Sequence, residues 1–466
     1  MKNVNLVYGV KDKPGLLKTI LFALQQVLAI LAATIVVPVI VGNGMAQSAA
    51  LLGAGIGTIV YLLFTKFKSP VFLGSSFAFI DSMGVAFSAA ATAELSASAG
   101  FLGLILGAIM AGLVYVVIAV VIKMVGVKWI DKIMPASVIG PTVAIIGLSL
   151  SVNAIGDLGK GNVLAPVQEW IISGKTGLPE QVINFYPTAN FYICLLCALV
   201  TLATVIVCSV YGKKMLKIIP FIIGICAGYA VAAIFTVIGI LTENPALQII
   251  NFGLFSEMSW KPAFTFVEAF KGFDGFKGSY IGQIAVAYVP VAFVVFAEHL
   301  ADHKNISSII GSDLLAEPGL HRTLLGDGVG SMVGAFFGGC PNTTYGESVG
   351  CVAISGNASI VTILTAAIIC IVASFFTPLM TLLATIPSCV MGGVCMTLYG
   401  FIAVSGLKMI QTVDLNENRN LFTVSVILVA GVGGMVLNIG AITITSIACA
   451  LILGILVNLL TSKIKK

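Results

Sequence analysis

Apolar runs long enough to cross a lipid bilayer recur along the whole chain. A spanning helix needs about 20 apolar residues, and the first run, over residues 17–41, exceeds that length. Of the 466 residues, 59% are hydrophobic and 9% are charged, and the mean hydropathy is +1.10. A soluble domain carries about 25% charged residues, and a β-barrel adds polar residues at every second position. The composition excludes both classes and predicts an all-α polytopic membrane protein.

Hydropathy divides the chain into fourteen apolar segments, which we number in order. Segments 3, 9 and 10 are interrupted by glycine and polar residues, whereas the others are nearly continuous. The fourteen segments cover residues 17–41, 48–64, 70–90, 100–122, 134–152, 189–210, 218–241, 281–303, 324–339, 343–357, 359–384, 388–406, 421–437 and 441–460.

The basic residues test this segment count, because lysine and arginine accumulate on the cytoplasmic side of a membrane. With the N-terminus inside and the segments alternating, five of the 24 basic residues fall outside and nineteen inside. The five lie in two long external loops, 153–188 and 242–280. Thirteen or fifteen segments would remove this asymmetry. The sequence therefore predicts a multi-pass protein of the cytoplasmic membrane with both termini in the cytoplasm.

Two pairs of short motifs indicate an internal repeat. Residues 134–140 read Met-Pro-Ala-Ser-Val-Ile-Gly and residues 386–392 read Ile-Pro-Ser-Cys-Val-Met-Gly. A weaker pair is Ser-Ser-Phe-Ala at 75–78 and Thr-Thr-Tyr-Gly at 343–346. In both pairs the partners lie seven segments apart, and because seven is odd the two halves must be inverted. Inverted repeats with interrupted segments at matching positions are typical of secondary transporters with a midplane site.

Segments 3 and 10 are the strongest candidates for that site. Residues 73–79 and 341–347 are rich in glycine, hydroxyl and turn-forming residues, so they predict short extended stretches instead of helix. Non-helical backbone at membrane depth must be buried or line a cavity. Its N–H and C=O groups are then available to a polar ligand.

Acidic residues within the membrane segments are functional candidates, because a charge there is costly. Glu298 and Asp302 lie four residues apart on one helix face, and Glu347 lies in the interrupted segment 10. No lysine or arginine lies at a comparable depth in the sequence to pair with them. A buried carboxyl without a cation can carry a proton, so Glu298 and Asp302 are a candidate proton-coupling pair and Glu347 a candidate ligand-binding group. Asp81, at the end of segment 3, fits either a gate or a helix cap.

The three histidines leave a second class of function open. His299 and His303 are four residues apart, as in helical zinc sites, but Leu300 stands where the usual protease motif has glutamate. No third ligand is evident in the sequence. An intramembrane metalloenzyme is therefore a distant alternative, and we expect no metal. A channel is a further alternative, but it would need a continuous polar pore. His321 is expected to contact backbone or lipid headgroups.

Four motifs resemble the nucleobase/ascorbate transporter (nucleobase:cation symporter-2) family, and specifically its bacterial uracil permease branch. The resemblance extends from residue 25 to residue 440. The motifs are Gly-Ser-Ser-Phe-Ala-Phe at 74–79, Ala-Glu-His at 297–299, Pro-Gly-Leu-His-Arg at 318–322 and Pro-Asn-Thr-Thr-Tyr-Gly-Glu at 341–347.

The resemblance implies two inverted sets of seven segments, folded as a core domain and a gate domain. The core would consist of residues 1–133 and 281–385, and the gate of residues 134–280 and 386–466. It also implies proton symport of uracil by alternating access, with the proton as coupling ion and no other cofactor. A homodimer in the lipid bilayer is implied as well, without nucleic acid as partner.

The resemblance further implies roles for individual residues. Glu298 and Glu347 would bind the base, and Ala33 would line the pocket in segment 1. Backbone contacts would come from Phe77, Tyr345 and Gly346. Tyr399 in the gate would lie near the coupling group.

Three departures from the family pattern leave the cargo open. Asp302 stands where the uracil branch often has histidine and purine-transporting relatives have aspartate. Ser348 interrupts the family's Glu-Asn-x-Gly signature, and the Gln-His pair common in segment 1 is Gln25-Gln26 here. Xanthine, uric acid or another nucleobase is therefore the alternative to uracil.

Overall fold

The computed structural model describes residues 6–172, 179–213, 215–256, 258, 260, 263–273, 278–439 and 442–462. The predicted cytoplasmic position of the termini concerns residues 1–5 and 463–466, which lie outside the described residues. The helices of the first half are α1 (Leu16–Val41), α2 (Gln47–Phe64), α3 (Ile80–Thr92), α4 (Ala97–Val125), α5 (Lys128–Ile133), α6 (Ala136–Ser149), α7 (Ser151–Asp157), α8 (Phe191–Tyr211), α9 (Met215–Ile218), α10 (Pro220–Leu241) and α11 (Thr265–Phe270). Those of the second half are α12 (Gly278–Ile310), α13 (Leu320–Gly338), α14 (Gly346–Ser355), α15 (Ile360–Ser374), α16 (Thr377–Ala384), α17 (Ser388–Ile410), α18 (Asn418–Val432) and α19 (Ser446–Ser462). The strands are β1 (Leu73–Ser75), β2 (Leu164–Ile172), β3 (Pro179–Pro187), β4 (Asn342–Thr344), β5 (Leu437–Ile439) and β6 (Ile442–Ile444).

Eight helices in the described part of the chain are long and apolar enough to cross a membrane. A ninth span results if α15 and α16, which meet at an angle of 83°, are taken together. The chain is therefore an all-helical polytopic membrane protein. The eight are α1, α2, α4, α6 with α7, α8, α10, α12 and α17.

The apolar segments and the helices coincide where the hydropathy is uninterrupted. Segment 1, predicted at 17–41, is α1 (Leu16–Val41), and segment 7, predicted at 218–241, is α10 (Pro220–Leu241). The predicted extended stretches of segments 3 and 10 are present as β1 and β4. The count of fourteen segments and their inverted repeat stay predictions.

The loop at 153–188, predicted to be external, contains a β-hairpin that was not predicted from the sequence. β2 and β3 pair antiparallel from Leu164–Pro187 to Ile172–Pro179. Their segments are rich in valine, isoleucine and aromatic residues, which favour strands, but they lie outside the apolar runs on which the analysis relied. A second short hairpin, β5–β6, separates α18 from α19.

The described residues pack into two compact units. Unit 1 comprises Met1–Leu150, Trp260–Phe376 and Leu398–Lys466, and unit 2 comprises Ser151–Ser259 and Thr377–Thr397. In unit 2, α8 packs against α10, where a Cβ on Gly228 would lie 1.8 Å from the Thr201 hydroxyl. The units are defined by packing, and the core and gate domains remain a prediction.

Close backbone contact holds α2 and α13 together in unit 1. A Cβ on Gly53 would lie 2.3 Å from the Gly334 carbonyl oxygen and 3.0 Å from the Gly338 Cα. Small residues allow such approach between membrane helices. The glycine-rich sequence of α13, which makes segment 9 look interrupted, therefore forms a continuous helix of 19 residues.

A short antiparallel ribbon joins the two interrupted segments in the interior of unit 1. Leu73 pairs with Thr344, Gly74 with Thr343 and Ser75 with Asn342, and all six residues are buried. Hydroxyl groups satisfy the adjoining backbone: Leu73 N–H donates to Thr58 Oγ1 at 2.9 Å. Each strand is followed after one residue by a helical segment, a 3₁₀ turn (Phe77–Phe79) leading into α3 in one case and α14 in the other. The ribbon thus places two helix N-termini in the protein interior.

Candidate functional site

The long helix α12 carries two of the predicted site residues. Glu298 and Asp302 lie one turn apart within its 33 residues and are half-buried. The side chain of Asp302 points to the ribbon, where its Oδ2 accepts a hydrogen bond from Thr344 Oγ1 at 2.9 Å. A Cβ on Gly346 would lie 3.8 Å from Asp302 Oδ1. Asp302 therefore lies at the junction between β4 and α14.

Glu347 lies at the same junction, in the first turn of α14. Glu298 is close enough to both Asp302 and Glu347 for the charges of the three carboxylates to interact. Neighbouring carboxylates repel one another, and a shared proton or the N–H groups of a ligand relieve that repulsion. The structure thus brings together the three acids that the sequence analysis selected separately.

The first N–H groups of α14 complete this junction. They have no partner within the helix, and they carry the positive end of its dipole. The Tyr345 N–H is already used, because it donates to the Phe72 carbonyl at 3.2 Å. Gly346, the first residue of α14, is exposed. The junction therefore offers acceptors from Glu298 and Glu347 beside donors from the backbone.

Aromatic rings surround the ribbon on both sides. Tyr345 is buried, packs over Gly74 and donates from its hydroxyl to the Ser75 carbonyl at 2.6 Å. Phe77 is buried at the start of its 3₁₀ turn and meets the ring of Tyr399 edge-on, with the ring centroids 5.6 Å apart. Tyr399 is therefore connected to the site residues through Phe77.

Helix α1 contributes buried residues next to α14. Ala33 is fully buried in its middle. About two turns earlier, Gln26 donates a hydrogen bond from Nε2 to Ser348 Oγ on α14. Ser348 Oγ also accepts from the Phe72 N–H at 3.0 Å. Two of the residues that depart from the family pattern are thus direct partners.

Asp81 lies outside this group. It occupies the first turn of α3 and is exposed. A carboxylate in a first turn interacts favourably with the helix dipole. The role of Asp81 as a gate or as a helix cap stays a prediction.

The two histidines of α12 are bonded within the protein. His303 Nδ1 lies 2.8 Å from the His299 carbonyl oxygen, and His303 Nε2 lies 2.7 Å from the Tyr61 hydroxyl. His299 Nδ1 lies 2.6 Å from Asp327 Oδ2. Among the described residues, no three histidine, cysteine, aspartate or glutamate side chains are grouped as a metal site would require. His321, also predicted to contact backbone, lies against Gly319.

The sequence analysis missed Asp327. This residue is fully buried in α13, and an acid within segment 9 is the same signal that selected Glu298. The glycines around it, at 326, 328 and 330, made the segment look like a broken loop. The structure shows a fully buried carboxyl group bonded to histidine.

Comparison with known proteins gives one family and a consistent group of relatives. The model of a permease family matches residues 17–440. The uracil permease of Bacillus caldolyticus is 37% identical over 457 residues, covering 97% of this chain and 94% of that protein. The uracil permease of Bacillus subtilis (strain 168) is 36% identical over 469 residues, covering 100% and 97%. That of Escherichia coli (strain K12) is 34% identical over 454 residues, covering 97% and 93%.

Solved structures with a similar fold are far more distant in sequence. The transmembrane domain of the cyanobacterium bicarbonate transporter BicA has a TM-score of 0.60 and 16% identity, covering 96% of this chain and 99% of that one. The murine anion transporter Slc26a9, in its inward-facing state, has a TM-score of 0.61 and 13% identity, covering 97% and 69%. At this identity the likeness concerns the fold alone.

Proposed function

The chain belongs to the nucleobase/ascorbate transporter family, and from that premise we propose that it carries uracil across the cell membrane. It is a transporter and not an enzyme. The observation that carries the proposal is the group formed by Glu298, Asp302 and Glu347 at the junction of β4 and α14. Uracil is small and neutral, with two N–H donors and two carbonyl acceptors, and it matches a site that offers both kinds of partner.

The proposed binding mode uses both the hydrogen-bond acceptors and the hydrogen-bond donors of the site. Glu298 and Glu347 accept hydrogen bonds from the two N–H groups of the base. The carbonyl groups of the base face the N–H groups at the start of α14, at Gly346, and at the 3₁₀ turn that begins with Phe77. A site built on such pairs rejects analogues that leave its polar groups unpaired.

Two further residues shape the proposed pocket. Ala33 lines it from α1, where a larger side chain would intrude. Tyr345 stabilises the pocket indirectly, because the hydrogen bond from its hydroxyl to the Ser75 carbonyl holds the ribbon in place.

We propose that transport is coupled to protons, with no other cofactor. Glu298 and Asp302 form the coupling pair, and the Thr344 hydroxyl positions Asp302 for it. We include Tyr399 in the coupling group, and its ring contact with Phe77 supports this assignment. A proton on the pair removes the repulsion between neighbouring carboxylates, so the base and the proton favour each other's binding.

The proposed architecture follows the family. Fourteen segments in two inverted sets of seven form a core domain (1–133 and 281–385) and a gate domain (134–280 and 386–466). The protein works by alternating access as a homodimer in the cytoplasmic membrane, with both termini in the cytoplasm.

Uptake into liposomes tests the proposal. Purified protein is reconstituted, and labelled uracil uptake is measured with and without an inward proton gradient, in the presence of excess unlabelled xanthine or none. We expect gradient-driven accumulation that xanthine does not reduce. Glu417→Gln is the matched control for variants of the site glutamates, because Glu417 is exposed and precedes α18.

Two other outcomes would change the conclusion. Uracil uptake that is equal with and without the proton gradient would contradict proton coupling. Uptake of xanthine or uric acid in place of uracil would favour the alternative cargo, which the aspartate at 302 and the serine at 348 already suggest.

A further inference from the structure

A carboxyl–imidazole pair lies buried in unit 1, apart from the three carboxylates of the substrate site. Asp327 Oδ2 on α13 lies 2.6 Å from His299 Nδ1 on α12. Both side chains have no exposed surface. His299 precedes Asp302 by less than one turn but is directed to α13, whereas Asp302 is directed to the ribbon.

The hydrogen bonds around His299 define how many protons the pair holds. The hydroxyl of Thr323 donates to the Leu320 carbonyl at 3.1 Å, so its oxygen accepts from His299 Nε2–H at 3.0 Å. A neutral imidazole protonated at Nε2 has an acceptor at Nδ1. The proton between Nδ1 and Asp327 then belongs either to a protonated Asp327 or to an imidazolium beside a carboxylate. In both cases the pair holds one proton more than a neutral histidine beside an ionised aspartate.

The same geometry allows that proton to leave. If the Thr323 hydroxyl rotates away from Leu320 and donates to His299 Nε2, the imidazole carries its single proton on Nδ1 and donates it to an ionised Asp327. Thr323 is fully buried. Among the described contacts of His299, rotation of the Thr323 hydroxyl is the only rearrangement that this change requires. The pair therefore has a hydrogen-bonded arrangement with the additional proton and one without it.

The other oxygen of Asp327 supports the loaded arrangement. Asp327 Oδ1 is buried and has no hydrogen-bond partner in the structure. A full charge on an unpartnered buried oxygen costs far more than a neutral one. The pair as described thus favours the arrangement with the additional proton.

A small cavity lies beside the pair. Its volume of about 10 Å³ is at the lower limit of the space that one water molecule needs. Tyr115, Ser331 and Asn342 line it, and the Tyr115 hydroxyl and Asn342 Oδ1 are buried with no hydrogen-bond partner among the described residues. The ring of Tyr115 also meets the ring of His299 edge-on, with centroids 6.3 Å apart. A water molecule there would connect the ribbon residue Asn342 to the surroundings of the pair.

The groups that interact electrostatically with Asp327 offer little positive charge. They are Tyr61 on α2, Tyr115 on α4, and Glu298 and Asp302 on α12, besides His299 itself. The ring of His303 is stacked on His299 at 3.9 Å, and its Nδ1 faces a carbonyl oxygen. The charge on Asp327 therefore acts on Glu298 and Asp302, and the proton content of the pair affects both.

We propose that His299 and Asp327 form a second proton-binding site, which holds one proton in this state and releases it during transport. This inference rests on the proposed function, because release matters only if transport is coupled to protons. Asp327 is a positioning and proton-holding residue that acts on the substrate site through the charges of Glu298 and Asp302. It does not touch the base.

Asp327→Asn tests the proposal, because an asparagine amide can donate to His299 Nδ1 as a protonated aspartate does but cannot release a proton. We expect this variant to bind labelled uracil in detergent but to lose gradient-driven accumulation, so that the internal concentration no longer exceeds the external one. Asp414→Asn, at an exposed position before α18, is the matched control and keeps full accumulation. Accumulation at the wild-type level in Asp327→Asn would overturn the proposal.

Thr323 provides a second test that does not depend on how well Asp327→Asn folds. Thr323→Val removes the hydroxyl that accepts from His299 Nε2–H in the proton-loaded arrangement and donates to Nε2 in the other one, whereas Thr323→Ser keeps it. We expect the pH dependence of gradient-driven uptake to change in Thr323→Val and to stay the same in Thr323→Ser. An unchanged pH profile in both variants would overturn the proposal. Wild-type protein that fails to couple uracil uptake to protons would instead contradict the proposed function itself.

Discussion

Gln26 on α1 donates a hydrogen bond to Ser348 on α14, and Ser348 also accepts from the Phe72 N–H at 3.0 Å. Each of the two residues, read alone, is a departure from the family pattern. Together they form one connection between α1, the start of the ribbon and the helix that carries Glu347. The two departures are therefore one contact.

Ser348→Ala tests this connection. The substitution leaves the buried Phe72 N–H and the Gln26 amide without a partner, and an unpaired buried group costs about 1–3 kcal/mol. We expect a lower melting temperature in detergent and weaker uracil binding. Ser312→Ala, at an exposed position, is the control and should change neither. Equal melting temperatures for the two variants would mean that the connection does not stabilise the fold.

Glu298→Gln tests the proposed coupling role. Glutamine keeps the size of the side chain and can still bond the base, but it cannot take up a proton. We therefore expect uracil exchange across the membrane without a gradient, and loss of gradient-driven accumulation. The measurement is uptake into liposomes beside Glu417→Gln. Concentrative uptake in Glu298→Gln would exclude Glu298 as a coupling group.

Glu347→Ala tests the proposed binding role. The change removes the acceptor at the start of α14, and one unmatched polar group in a binding site costs about 1–3 kcal/mol, which is roughly five-fold to more than a hundred-fold in affinity. Binding of labelled uracil by the purified protein is the direct measurement, with Glu417→Ala as control. Retained affinity would show that the base is held elsewhere.

Gly53→Ala tests the contact between α2 and α13. The added methyl group would lie 2.3 Å from the Gly334 carbonyl oxygen, so the helices must separate. Overpacking of this kind costs about 1–3 kcal/mol or more, and we expect little folded protein. Gly84→Ala on α3 is the matched control, since nothing lies within 4 Å of the new methyl group. The yield of monodisperse protein in size-exclusion chromatography distinguishes the two.

The Lys68–Glu317 ion pair at the surface gives a pH-dependent prediction. The hydrogen bond and the charge of Lys68 lower the pKa of Glu317, so the pair stabilises the protein above the ordinary glutamate pKa of about 4.3. That contribution is lost as the pH falls through the lowered value. Because both side chains are exposed, the effect is small. The melting temperatures of wild type and Lys68→Gln should differ slightly at neutral pH and converge in acid; a constant difference would contradict the role of the pair.

Hydropathy predicted the helices that are apolar throughout, because the membrane imposes a length and a composition on them. It also located the two interrupted segments, since glycine and hydroxyl residues at depth are costly in a simple span. It could not show that β1 pairs with β4, because strands of three residues carry no periodic signal. The hairpin of β2 and β3 was missed for a different reason, as loop strands lie outside the apolar runs.

The candidate site was likewise predictable from the sequence only in part. Glu298, Asp302 and Glu347 could be selected from the sequence because an acid in an apolar segment is rare. Their mutual proximity depends on contacts between α12 and α14, which are far apart in the chain. Asp327 had the same signal but lay among glycines, whose role as a packing surface becomes evident only when α2 and α4 lie against them.

The pairing of β1 with β4 also has a mechanical consequence. The 3₁₀ turn that leads into α3 and the start of α14 are joined through one hydrogen-bonded ribbon, so the two helix ends cannot separate without breaking backbone bonds in a medium that offers no replacement. In the proposed binding mode, a ligand between them would move together with the ribbon. We therefore expect access to alternate between the two sides of the membrane by displacement of the ribbon with both helix starts, and not by separation of the two helix starts.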